Sequence, residues 1–247
     1  MPTWTRHLYE HDRLAIAKGE VNGHSGVHKF GAVPAMSQNQ SGTIWDINDT
    51  NYPWSSLTSA STLTVPAVNA SDNGKEIIVI GLDADYAEQS EVISVSSAGP
   101  VTTTKSFLRV YRAYMYNGSS TNIADINIQV SGTTVARISA GKGQTLMAVY
   151  TVPAGYTAYI TKGVCSCQSG ADATGDMYVR YGGQSAFRIG HSFEVSGSGG
   201  QYIYDFDVPV AIPEKSDIDV RARVRSNNAR ITAAFDLILM RNEYGHQ

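Results

Sequence analysis

Alternation of apolar and polar positions is sharpest between Asp217 and Met240. Ile218, Val220, Ala222 and Val224 alternate there with Asp217, Asp219, Arg221, Arg223 and Arg225. Successive side chains of a strand point to opposite faces, so one face of this stretch is apolar and the other charged. Asn227-Asn228 then turns the chain, since Asn tolerates positive φ, and Ile231, Ala233, Phe235, Leu237 and Leu239 run back. The pattern predicts a β-hairpin covered on one side only, its charged side left for water or for a partner.

Similar patterning predicts strands through most of the chain from Ser61 onward. Asp72-Asn73-Gly74 marks a turn before the short buried run Ile77–Ile80. Glu91–Ser96 and Ser106–Tyr116 follow, parted by Gly99-Pro100. After the linker Asn117-Gly118-Ser119-Ser120 come Ile126–Val130, Thr134–Ile138, Thr145–Val152, Tyr156–Thr161, Met177–Tyr181, Phe187–Val195 and Tyr202–Val208. Phe187, Ile189, His191, Phe193 and Val195 are expected on one strand face, and Tyr202, Tyr204, Phe206 and Val208 on another. Short strands at near-regular spacing predict an all-β protein with an antiparallel, jelly-roll-like β-sandwich over 117–247. A smaller β-rich module is expected over 61–116. Amphipathic helices do not alternate with the strands, which excludes nucleotide-binding α/β folds.

The leading residues read differently. Trp4, Leu8 and Ala15 share a weak helical face that ends at Gly19, and residues 21–60 are irregular, punctuated by Gly and Pro. A long irregular stretch inside a compact domain needs something to pack on. Residues 1–60 are therefore expected to form an N-terminal arm ordered by a neighbouring subunit.

Composition narrows the function classes. Charged residues make up 17% of the 247, below the roughly 25% usual for soluble domains, and Gly, Ser, Thr, Asn and Tyr take their place. The net charge of −3 gives no footprint for nucleic acid. No apolar run approaches the ~18 residues of a membrane span, and the N-terminus lacks the layout of a signal peptide, so synthesis in a cytoplasm is expected. Cys165 and Cys167 provide no disulfide framework and are read as small buried hydrophobes.

Candidate chemistry is sparse. His7-Leu8-Tyr9-Glu10-His11 matches a zinc-peptidase spacing, but no third ligand or companion motif supports it. Gly141-Lys142-Gly143 lacks the first glycine of a phosphate loop and reads as a turn. Asp46, Asp49, Asp83 and Asp85 offer oxygen ligands without the rest of a calcium loop. His191 reads as a core histidine. No catalytic residue, cofactor or metal site is expected. Interface candidates are the aromatics Trp4, Trp45, Tyr52 and Trp54, together with Arg221, Arg223 and Arg225, because Arg and aromatic residues are favoured at protein interfaces. The aromatic cluster also raises an alternative, a carbohydrate- or receptor-binding module stacking on a host-surface glycan.

Several stretches carry a family resemblance: Gly23-His24-Ser25-Gly26-Val27-His28-Lys29-Phe30-Gly31, Ile80-Gly81-Leu82-Asp83 with Glu91, and Val101 through Val110. Gly143-Gln144-Thr145-Leu146 with Tyr150 through Gly155, Ile212 through Ile218, and Ala233 through Leu239 complete the set. Together they resemble a family of virion structural proteins of tailed, marine-type bacteriophages, over nearly the whole chain. The resemblance implies a non-enzymatic particle component, located in the virion as capsid decoration, cement or a tail-associated part. Its partners would be copies of itself and other virion proteins such as capsid, portal or tail.

Overall fold

The computed structural model describes residues 12–118, 120–182, 184–196 and 200–244, whose regular structure is almost entirely antiparallel β-strand. A short helix, α1 (Asp12–Ala17), precedes β1 (His24–Met36) and β2 (Ser41–Thr43). Next come β3 (Ser61–Val65), β4 (Glu76–Leu82), β5 (Glu88–Ser94), β6 (Val101–Phe107), β7 (Arg109–Tyr116), β8 (Ile126–Val130) and β9 (Thr133–Ile138). The remainder holds β10 (Val149–Thr151), β11 (Tyr156–Cys167), β12 (Ala173–Arg180) and β13 (Arg188–Val195). It ends with β14 (Gln201–Ile212), β15 (Asp217–Val224) and β16 (Ala229–Arg241).

Two facing sheets form a sandwich. The first has the order β1-β16-β11-β14 and the second β10-β15-β12-β13, with β2 added beside β15. Apart from the hairpin β12–β13, every connection from β10 to β16 crosses from one sheet to the other. That strand order is a jelly roll. Its core comes from alternate inward positions, including Ile231, Phe235, Leu237 and Leu239 from β16 and Ile218, Val220, Ala222 and Val224 from β15. β1 lies so close to the neighbouring backbone that only glycine fits at position 31. A Cβ there would stand 2.3 Å from Ile44 O and 2.4 Å from Ala148 N.

Strands β3 to β9 form a module inserted between the first and second strands of the jelly roll. It has the sheets β6-β3-β8-β9 and β5-β4-β7, with a core that includes Leu63, Ile77, Val79, Phe107, Ile126, Ile128 and Ile138. β8 and β9 belong to this module because β8 pairs with β3 at Thr64–Gln129. The module therefore runs past the expected boundary at 117 to Ile138. The linker-like composition there begins with a turn at Asn117-Gly118 that lies within the module and is not a domain border.

Two other expectations need correction. Residues 24–36 were expected in an irregular arm, yet β1 pairs with β16 from His24–Met240 to Met36–Ala229. Gly and Pro masked a strand whose pairing partner is distant in sequence. Likewise, residues 217–224 and 229–241 of the alternating runs are both strands, with Asn227 at φ 51° between them, but they are not a hairpin. β15 lies in the second sheet and β16 in the first, so the two face each other across the core.

Candidate assembly surface

The first half of the charged side of β15 is not left for water. Asp217 and Asp219 are buried where the inserted module sits on the second sheet. Arg109 of β7 donates to Asp217 through Nε at 2.8 Å and Nη2 at 3.2 Å, and Arg180 of β12 donates through Nε at 2.9 Å and Nη2 at 2.6 Å. Thr151 Oγ1 adds a bond of 2.6 Å. Asp219 accepts from Thr43 Oγ1 at 2.8 Å, Trp54 Nε1 at 2.9 Å and Arg221 Nε at 2.8 Å. Burial works against the Arg109 charge, but the Asp217 contacts outweigh it and hold the guanidinium above its ordinary value. The polar half of β15's pattern thus joins two parts of one chain.

The aromatic candidates lie in the same junction. Trp45, Tyr52 and Trp54 are all buried. Tyr52 meets Trp45 and Trp54 edge-on at centroid distances of 5.3 and 4.7 Å, and its hydroxyl donates to Val110 O at 2.8 Å. Arg180 lies 5.4 Å from the Trp54 ring centroid and 4.7 Å from that of Phe187. These rings are core, with no face free for a sugar or a partner, which corrects their reading as interface residues. Trp4, His7, Leu8 and His11 lie outside the described residues.

Arg221, Arg223 and Arg225 emerge from the edge of the junction and border an open polar basin of about 320 Å³ with Ser41, Asn51 and Tyr178. Arg221 is held by Asp219 and lies 4.6 Å from the Tyr178 ring centroid. Arg223 and Arg225 are exposed.

At the other side of the sandwich, β13 and β14 each leave one edge unpaired among the described residues. Ile189, Ile203, Tyr204 and Val208 are exposed there, Val208 at 81%. Irregular register creates this surface. The pairs Met177–His191 and Tyr178–Ile189 leave Gly190 as a bulge, which puts Ile189 on the outer face while His191, Phe193 and Val195 stay inside. The expected single face from Phe187 to Val195 is therefore split. On β14, residues 206–209 lie opposite Thr161 alone, between the pairs Ile160–Val210 and Lys162–Asp205. Val208 is thrown outward, away from Tyr202, Tyr204 and Phe206. The pattern concealed these bulges; Gly190 and Pro209 are their traces in the sequence.

Other candidate residues do structural work. His191 Nε2 lies 2.9 Å from Tyr202 Oη, within a cluster that includes Tyr204 and Phe206. Cys165 and Cys167 are buried free thiols. Asp46 accepts from Ser139 Oγ at 2.9 Å and from the Leu146 amide at 2.5 Å; burial nevertheless raises its carboxyl to about 7. Asp83 accepts from the amides of Asp85 and Ala87 and shapes a turn. Among the described residues, no group of three or more His, Cys, Asp or Glu side chains is placed to hold a metal ion.

No protein-family model matches the chain, and no curated protein does. Among solved structures, the cowpea mosaic virus top component aligns at 8% identity and a TM-score of 0.23, covering 72% of this chain and 80% of that one. Infectious bursal disease virus Gx strain aligns at 10% identity and a TM-score of 0.24, covering 90% of this chain and 73% of the other. The VP2 subviral particle of infectious bursal disease virus aligns at 8% identity and 0.24, with the same coverage. Overlap this slight carries no weight for fold or function.

Proposed function

We propose that the chain is a non-enzymatic structural component of a tailed-phage virion, assembling with copies of itself and with neighbouring virion proteins as capsid decoration, cement or a tail-associated part. The observation that carries this reading is the β13–β14 end, where apolar side chains stand exposed along two open sheet edges. Exposed apolar clusters of this kind mark protein contact sites. The sequence resemblance to phage virion proteins supports the same reading, and a jelly roll is an architecture used in viral capsids, among other roles. The bulge and Pro209 interrupt edge-to-edge strand pairing on part of β14, which favours docking through side chains. An assembled particle would supply the cover.

The test is the mass of the purified full chain in solution, alone and mixed with particles lacking it. Self-association or particle binding is expected, and Ile189→Asp with Val208→Asp should weaken it without lowering the melting temperature. A chain that stays monomeric at every concentration and binds no particle would overturn the proposal.

A further inference from the structure

The outward side of the first sheet carries a row of charges that is its own complement. In register across the four strands stand His28, Asp236, Lys162 and Asp205. His28 Nδ1 contacts Asp236 Oδ1, and Lys162 Nζ lies 3.5 Å from Asp205 Oδ1. The two inner charges run minus, plus; read backwards they run plus, minus, and His28 at one end stands opposite Asp205 at the other. On one side of this row lie Phe30, Ala234, Val164 and Ile203; on the other lie Gly26, Ile238, Tyr159 and Ala211. The alternate residues of the same strands, such as Leu237, Phe235 and Cys165, point into the core.

We propose that this face is a contact between two copies of the chain, related by a two-fold axis that runs along the strands between β16 and β11. Rotation about that axis lays each row on its own reverse. Asp236 then meets Lys162 of the second copy, and His28 meets its Asp205. In the adjacent apolar row Phe30 meets Ile203, and Ala234 meets Val164. A two-fold axis turned across the strands would set lysine on lysine and aspartate on aspartate, so the charges select the first arrangement. An isologous interface needs such self-complementarity, and a second copy of this chain supplies it along these rows, with Arg13 and Ile16 of α1 bordering the face beside Gly26 and His28.

Strand spacing and side-chain repeat give a face on the order of 500 Å² per copy, below the ~800 Å² of a standard interface. The contact is therefore weak in isolation and gains strength when many copies are held together. This inference deepens the assembly reading and rests on it in one respect, that copies of the chain meet.

Sedimentation equilibrium of the full chain over a wide concentration range, at low and high salt, tests it. A salt-sensitive monomer–dimer equilibrium is expected. Asp236→Lys and Lys162→Asp should each weaken it about tenfold, since each turns two symmetric attractions into repulsions. The double variant Asp236→Lys/Lys162→Asp should restore it, because the exchanged inner pair is again its own complement. A purely structural role for either residue would not give that rescue in dimer affinity. Ala234→Lys, which leaves the charge row untouched, should also disrupt the dimer, and circular dichroism establishes that each variant is folded. If the chain self-associates but these variants behave like the parent, this interface is wrong and the assembly reading stands. If the chain is monomeric throughout and binds no particle, both fall.

Discussion

Single side chains at the junction show how strongly a buried charge depends on its surroundings. Lys29 points inward from β1 and donates through Nζ to Tyr111 O, with the Tyr111 ring centroid 5.6 Å away. Burial, with Arg112 adding repulsion, lowers its ammonium from 10.5 to about 7. The folded protein therefore releases this proton at a lower pH than the unfolded chain does. Between those two values the unfolded chain holds more protons, so stability rises with pH across that window. Below pH 7 both states are charged and the folded state carries the full burial cost. Lys29→Met should remove the upward trend between pH 7 and about 10. Urea denaturation of both proteins at several pH values measures it; parallel curves would mean that Lys29 does not titrate in this way.

Among the elements, β15 binds the two parts of the molecule most tightly. Its inward residues fill the sandwich core, and its first two aspartates gather partners from β7, β12, β10, β2 and the segment carrying Trp54. Removing Asp217 by substitution with Ala leaves the buried Arg109 and the half-buried Arg180 without their carboxylate and should cost about 3–5 kcal/mol, read as a shift in the denaturation midpoint. The same strand shows what local pattern can and cannot express. Alternation correctly gave the buried face Ile218, Val220, Ala222 and Val224, because burial of alternate residues is a property of the strand itself. It did not tell water from protein on the opposite face, because Arg109 lies 108 residues away in sequence. The same reasoning explains the aromatic trio, whose neighbours come from separate stretches of chain. It also explains β1, whose pairing partner is β16. At β13 and β14, bulges shift the period that the pattern assumes, and the exposed Ile189 and Val208 were hidden for that reason.

At the scale of the whole molecule, two hydrophobic cores meet through Trp54, Tyr52 and the Asp217–Arg109 pair. The inserted module and the jelly roll should therefore unfold together in one calorimetric transition. Trp54→Ala removes a buried ring and one of the three donors to Asp219, at an expected cost of about 3–5 kcal/mol, and should separate the transition into two. Two transitions in the parent protein would show that the junction does not couple the cores.

The pairing of β1 with β16 also bears on how copies of this protein come into being. His28 and Asp236, which meet across those strands, are 208 residues apart in sequence. The first sheet cannot close until β16 has left the ribosome, and contacts so remote in sequence form slowly. A half-made chain exposes its apolar strand faces without a finished outer surface, and such intermediates are prone to aggregate. The outer surface of each molecule is therefore complete only once β16 has paired with β1 and β11.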